Sequence, residues 1–256
     1  ANDHGSLLAL LSKGGRLLVV RIAADDVAGD HPIITELPQP KGAVTALALD
    51  ALLENLYVGT ADGQVVHVAL SETESPEMRA AYTVAASSTA VTTLGFLSGD
   101  RSLVVMSEDG AVSTWGLVRR ADAPSGWKLT QIHTLRPHNA PVTAFAPSQR
   151  VKGFVTGDRK GNLFLHHATS SQTLLRLANS ELPIRAVAFA PKGDGLIALD
   201  GAGQLSLYQV QNAYPEVTLE TLFAKVWYEG YDQPAHVWQS SSGSDDVEPK
   251  LGLLPL

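Results

Sequence analysis

Residues 142–166 read VTAFAPSQRVKGFVTGDRKGNLFLH, and this stretch decides the fold. An apolar-rich hexamer, VTAFAP, leads into a second apolar segment, GFVTG, then the pair Lys160-Gly161, then a third segment, NLFLH. The segments are short, rich in Val, Leu and Thr, and bounded by Gly, Asp and Pro, which favours strands over helices. Three further windows of the same 25-residue length line up with it without gaps: Val44–Val68, Val91–Trp115 and Ile184–Tyr208. Their hexamers are VTALAL, VTTLGF and IRAVAF. Their second segments are LYVGT, LVVMS and LIALD, and their third segments QVVHV, AVSTW and QLSLY. The turns between are Asp62-Gly63, Asp109-Gly110 and Ala202-Gly203. Glycine in the second turn position permits the positive φ of a tight hairpin, and Asp-Gly is the strongest short hairpin signal.

The windows start 47, 51 and 42 residues apart. That is the period of a four-stranded propeller blade. Each spacer holds one more candidate strand: Ile33–Leu37, Ala80–Ala86, Leu129–Leu135, Thr173–Leu177 and, after the last window, Val217–Phe223. A partial fifth copy, Leu7–Leu11, Gly14-Gly15 and Arg16–Val20, lacks its opening hexamer. A lone blade exposes both faces, and stacking blades around an axis buries them. The expected fold is therefore all-β: a β-propeller of four-stranded antiparallel blades, about five of them, over residues 1–223. An unpaired blade edge is sticky. Either residues 224–230, with Lys225–Glu229, supply the strand missing beside Leu7–Leu11 and close the ring, or more blades lie upstream.

These windows resemble degenerate WD40 repeats. The best copy, Leu135-Arg-Pro-His138-Asn-Ala-Pro-Val142, resembles the leucine, Gly-His and valine opening of such a blade, with Pro137 replacing the glycine. Trp115 falls where that family places its tryptophan, but Gly116 replaces the aspartate that follows. These departures imply that the family's Asp-His-Ser/Thr-Trp hydrogen-bond network is absent. The resemblance speaks for fold and not for function, because propellers host enzymes, scaffolds and receptors alike.

Composition excludes several classes. Lys+Arg is 19 against Asp+Glu 26, a net charge of -7, which argues against a nucleic-acid partner and against long-range capture of an anion. With no cysteine, a disulfide framework, a thiolate zinc site and a cysteine nucleophile are impossible. The polar start, Ala1-Asn-Asp-His-Gly5, does not read as a signal peptide, and no stretch approaches the roughly 18 apolar residues of a membrane span. There is no Walker A loop, G-x-S-x-G, H-E-x-x-H, EF-hand loop or N-x-S/T sequon.

The remaining candidates read as structural. Gly201-Ala-Gly203 is a hairpin turn and not the start of a dinucleotide fingerprint. His166-His167 is the one histidine pair, and neighbouring strand residues point to opposite faces, so the two cannot share a metal. His4, His31, His67, His133, His138 and His236 show no site spacing. Asp25-Asp26 and Asp30 read as a solvated loop, and Asp62 and Asp109 as turn residues. Arg119-Arg120 and Arg159-Lys160 are too short for a phosphate surface. No catalytic, cofactor-binding or metal-binding residue is assigned, no cofactor is expected, and no substrate-binding residue can be named.

The repeat stops near Phe223. Residues 231–256 read as an acidic, Ser-rich linker, with a polar spacer at Ser240–Asp246 and an apolar end, LGLLPL. Aromatics, spacer and apolar end suggest a chain approaching a membrane. The runs YEGYDQPAHVWQSSSGSDD (228–246) and EPKLGLLPL (248–256) resemble the segment before the second transmembrane helix of the large form of a bacterial phosphate ABC transporter permease. That subunit carries a WD40-like insertion between its first two membrane helices. The resemblance implies a non-catalytic accessory domain on the periplasmic side of the inner membrane, docking or regulatory in phosphate uptake. Its partners would be the other transporter subunits and the periplasmic phosphate-binding protein, with flanking helices in the membrane. The alternative is a free-standing WD40-type interaction scaffold. A propeller lactonase or glycosidase ranks third.

Overall fold

The structure is a computed structural model that describes residues 7–21, 32–50, 55–71, 77–97, 99, 101–123, 126–149, 152–178, 181–190, 195–211 and 236–241. The first sheet is three-stranded, β1 (Leu7–Leu11), β2 (Leu17–Arg21) and β3 (Ile33–Leu37), in that order. The second is β4 (Val44–Leu49), β5 (Asn55–Thr60), β6 (Gln64–Leu70) and β7 (Met78–Ala85). The third is β8 (Val91–Phe96), β9 (Leu103–Ser107), β10 (Val112–Arg119) and β11 (Trp127–Thr134). The fourth is β12 (Val142–Pro147), β13 (Gly153–Asp158), β14 (Asn162–His167) and β15 (Gln172–Ala178). The fifth is β16 (Ile184–Phe189), β17 (Gly195–Asp200), β18 (Leu205–Gln211) and β19 (His236–Ser241). Each four-stranded sheet is an antiparallel meander, as the repeat predicts.

One strand differs from expectation. The fourth place in the last sheet, beside β18, is taken by β19. The spacing predicts Val217–Phe223 there, which lies outside the described residues, whereas His236–Ser241 falls in the stretch whose composition reads as linker. An exposed strand edge offers a full row of backbone donors and acceptors, and the β-formers Val237 and Trp238 suit a strand that satisfies them. The ring-closing segment 224–230 and residues 242–256 also lie outside the described residues.

The four complete sheets share one irregularity. The first strand shifts register against the second between Val44 and Ala46, Val91 and Thr93, Val142 and Ala144, and Ile184 and Ala186. Thr45, Thr92, Thr143 and Arg185 are thus the extra residues of a β-bulge, a device that re-aims a side chain and deepens twist. In two cases the re-aimed threonine joins one sheet to the next. Thr45 Oγ1 donates to the Val91 carbonyl at 2.6 Å, and Thr143 Oγ1 to the Ile184 carbonyl at 2.7 Å. The residue that offers the carbonyl also fills a notch. A Cβ on Gly59 would lie 2.6 Å from Val91 Cγ1, and one on Gly157 would lie 2.6 Å from Ile184 Cγ2. Val91 and Ile184 are fully buried there.

The chain divides into two compact units: Ala1–Phe96 with Asp100–Glu108 and Ser113–Ile132, and Leu97–Gly99 with Asp109–Val112 and His133–Leu256. In the first, Leu7, Leu17, Val19 and Leu37 pack on Leu56, Val58, Val68 and Leu70 of the next sheet. Tyr57 and Val65 in turn pack on Val91, Leu94, Leu103, Val105 and Trp115. In the second unit, Val155, Leu163, Leu165 and Leu175 meet Ile184, Leu196, Ala198 and Tyr208. Burying one such aliphatic side chain stabilises by about 1.5–3 kcal/mol.

Two turn glycines, Gly63 and Gly110, are equally constrained. Gly63 has φ +79°, and a Cβ on it would sit 2.2 Å from the Ser87 carbonyl oxygen. Its own carbonyl accepts from the amides of Ala86 and Ser87 at 3.0 and 2.9 Å.

Gly157→Ala is expected to destabilise by about 1–3 kcal/mol, the usual cost of overpacking. Thermal melts of the single and double variants check the cause: Ile184→Ala should cost less in the Gly157→Ala background than alone.

Candidate functional site

The residue ending the second strand of each complete sheet is Thr60, Ser107, Asp158 or Asp200, and all four are buried. Three visibly lock the hairpin that follows. Asp158 Oδ1 accepts from the amides of Lys160 and Asn162, both at 2.9 Å. Asp200 Oδ1 accepts from the amides of Ala202 and Gln204, both at 2.9 Å. Thr60 Oγ1 accepts from the Gln64 amide at 3.1 Å. A short oxygen-bearing side chain at this point satisfies turn donors that burial would otherwise orphan.

In the fourth sheet this position anchors a larger network. His138 Nδ1 lies 3.0 Å from Asp158 Oδ2, and His138 Nε2 lies 2.7 Å from Thr156 Oγ1. Thr156 Oγ1 lies 2.9 Å from His166 Nε2, and His166 Nδ1 lies 3.1 Å from Thr173 Oγ1. A carboxylate only accepts, so His138 Nδ1 donates to Asp158. One proton order then satisfies each link without charging an imidazole. Thr156 donates to His138 Nε2, His166 Nε2 donates to Thr156, and Thr173 donates to His166 Nδ1. The rings are clamped as well: His138 stacks on Phe164 at 3.9 Å and His166 on Phe154 at 4.8 Å.

This corrects the expectation that the network is absent. Asp158, His138 and Thr156 supply its aspartate, histidine and threonine, and His166 stands in the window position of Trp115. An imidazole Nε2–H donates as an indole N–H would. Trp115 itself donates to Ser113 Oγ at 2.8 Å and is buried in the third sheet.

The electrostatics follow from burial. Burial and the neighbouring His138 push His166 down to about 3. Burial raises the Asp158 carboxyl, but hydrogen bonds from His138 and Asn162 outweigh it, leaving its pKa below the ordinary aspartate value. His67, on the second sheet, is pushed down to about 4 by burial. Its Nε2 meets Asn55 Oδ1 at 2.6 Å, and its ring stacks on Tyr57 and meets the edge of Tyr82.

The other sequence candidates stay apart. His167 is buried, and its Nδ1 meets Ser170 Oγ at 2.8 Å, so the histidine pair serves two separate contacts. Asp62 accepts from Gln64 Nε2 at 2.9 Å, and Asp109 from the Ala111 amide at 3.1 Å, both within their turns. Gly201–Gly203 is the β17–β18 turn, with Gly203 at φ +84°. Arg119, Arg120, Arg159 and Lys160 are exposed. His4, Asp25, Asp26, Asp30 and His31 lie outside the described residues. Among the described residues no three His, Asp or Glu side chains are placed to hold a metal ion, and no helix is long and apolar enough to cross a membrane.

No family model matches the chain, and no curated protein matches it. Solved structures do. The β-propeller domain of Myceliophteria thermophila Cps50 (Swd1) aligns at TM-score 0.63 and 17% identity, over 80% of this chain and 67% of that one. Chaetomium thermophilum Sqt1, bound to the N-terminus of ribosomal protein L10, aligns at TM-score 0.64 and 16% identity, over 81% of this chain and 56% of its own. The computationally designed Ika4 protein aligns at TM-score 0.53 and 20% identity, over 68% of this chain and 94% of its own. At such identities the likeness establishes the fold: a WD40-like β-propeller built of four-stranded antiparallel blades, with about five in this chain.

Thr156→Val removes the central hydroxyl at nearly constant volume and is expected to cost about 1–3 kcal/mol, read by urea denaturation. The acid limb is a second test. His67 and His166 resist protonation when folded, so below about pH 6.5 the unfolded chain takes up protons that the folded chain refuses. Their stabilisation is complete above that pH and drains away as pH falls toward their folded values. Asp158 acts at still lower pH, where its stabilisation is lost as pH falls through its depressed folded pKa. His166→Trp, which keeps a ring N–H donor and removes the titration, should flatten the fall in Tm between pH 6.5 and 4.

Proposed function

We propose that the chain is a non-catalytic protein-interaction module of WD40 type. The observation that carries this reading is the blade architecture shared with solved propellers, one of which, Sqt1, holds the N-terminus of another protein. The titratable cluster in the fourth sheet supports it, because its histidines and aspartate are buried and bonded to one another. They hold blade and turn together and offer nothing to a substrate. Recognition then falls to the loops between strands, which carry function on a rigid sheet scaffold.

A second reading is favoured by one specific observation, the 228–246 and 248–256 sequence runs. In it the module is the periplasmic insertion of a phosphate importer permease at the inner membrane. It docks the phosphate-binding protein or a neighbouring transporter subunit, and phosphate and ATP are handled by other parts of the complex.

Immobilised protein titrated with the cognate phosphate-binding protein separates the two readings. Saturable one-to-one binding supports the permease. No binding, together with stoichiometric co-purification of a different protein, supports the free scaffold. In either case calorimetry with inorganic phosphate should give no heat, and turnover of lactone or glycoside substrates by the purified protein would overturn the non-catalytic reading.

A further inference from the structure

One end of the fourth and fifth sheets gathers cations that lie apart in sequence, all within the second compact unit. Val142 pairs with Asp158 and Ile184 with Asp200, and the Thr143–Ile184 bond aligns these two ends. Arg159 and Lys160 form the turn after β13, and the Arg159 amide donates to the Pro141 carbonyl at 2.9 Å. Arg136 lies on the loop before β12, two residues ahead of His138, whose imidazole bonds Asp158 at this end. Arg185 is the bulge residue of β16, next to Ile184. All four cations are exposed. Among the described residues none of them is in an ion pair, the pairs being Arg16–Glu36 and His138–Asp158. The exposed carboxylates on the loops that meet there are Asp109 and Glu181, whereas Asp158 and Asp200 are buried and bonded within their turns. This end is therefore positive in a chain whose net charge is -7.

The chain itself carries the complement. β19 runs antiparallel to β18 and ends with Ser241 opposite Ser206, beside the turn that follows Asp200. The polypeptide thus leaves the fifth sheet at its positive end. Next in sequence come Asp245, Asp246 and Glu248, with no Lys or Arg before Lys250. An extended chain spans at most about 3.6 Å per residue, so Asp245, four residues past Ser241, reaches up to about 14 Å and Glu248, seven residues past it, about 25 Å. The β13–β14 turn lies one sheet spacing of about 10 Å away, and one to two strand spacings of about 4.8 Å along the sheet. The three carboxylates therefore reach the cations. A tether this short gives the segment an effective concentration on the order of millimolar, so weak pairs suffice to hold it.

We propose that residues 245–248 dock on the positive end of the fourth and fifth sheets, pairing Asp245, Asp246 and Glu248 with Arg136, Arg159, Lys160 and Arg185. The segment is then an internal occupant that an acidic partner of this end must displace. Exposed ion pairs are weak singly and are screened by salt, so the contact is reversible. The inference concerns this chain's own tail and depends on neither reading of the partner.

Carbodiimide coupling of the purified full-length polypeptide tests this, because the reagent joins a carboxylate to a lysine amine only where the two touch. The expected product is an amide between Lys160 and Asp245, Asp246 or Glu248, mapped by mass spectrometry. Lys152, exposed at the opposite end of the fourth sheet, is the control. The Lys160 yield should exceed the Lys152 yield about five-fold, and should fall about five-fold in roughly 0.5 M salt, where the Debye length is about 4 Å. Arg159→Gln with Arg185→Gln leaves Lys160 in place and should lower the yield as well. In a mixture of unlabelled and isotope-labelled polypeptide the adducts should lie within one chain. No adduct at Lys160, equal adducts at Lys160 and Lys152, or a yield indifferent to salt and to the arginine variant overturns the proposal. So do adducts of Lys160 that join two chains or a co-purified protein in place of the tail.

Discussion

A carbonyl and a side chain from one residue hold neighbouring sheets together at two places. Val91 and Ile184 each accept a threonine hydroxyl through the backbone and fill a glycine notch with the side chain. The hydrogen bond sets the height of one sheet against the other, and the notch sets their separation. Neither half works without the bulge, which frees one residue from the ladder and turns its hydroxyl outward. Apolar burial supplies most of the stabilisation across these contacts, but it is non-directional. The joint makes the contact specific, because a shift by one residue would put a side chain where the glycine must be.

Within the fourth sheet a different constraint operates. Its second and third strands bury Asp158, Thr156 and His166, and burying polar groups is costly unless each is bonded. The chain from Asp158 to Thr173 meets that demand: His138, Thr156 and His166 each donate one bond and accept one, Asp158 accepts at one end and Thr173 donates at the other. Removing one link orphans its neighbours, so the network is all or nothing. It also ties the loop that carries His138 to the hairpin that follows Asp158, fixing the approach to the sheet.

The strand pattern was legible because strand and turn signals recur in four aligned windows. The alternating apolar positions and the turn glycines Gly63, Gly110, Gly161 and Gly203 are local features, readable from a few residues each. The polar network was not legible in the same way. Its members are spread from His138 to Thr173 and meet only when the sheet forms, and His166 does the work of a tryptophan under another letter. The available signal was positional: His166 shares a window place with Trp115, and Asp158 shares one with Thr60, Ser107 and Asp200. The strand His236–Ser241 escaped for another reason. It lies far from β18 in sequence and carries no repeat pattern, so only the open edge of β18 singles it out.

The repeated bulge also governs which changes of length a lineage could accept. Between windows the spacing varies from 42 to 51 residues, so the connecting loops tolerate codon gain and loss. Inside the opening strand a single deletion at Thr45 or Thr143 would erase the extra residue and leave a regular ladder, because Val44 and Ala46, or Val142 and Ala144, already pair with consecutive residues, but it would also remove the hydroxyl that reaches the next sheet. The spacers can therefore change length without touching a joint, while the opening strands at Thr45 and Thr143 cannot lose a residue without losing the bond between sheets.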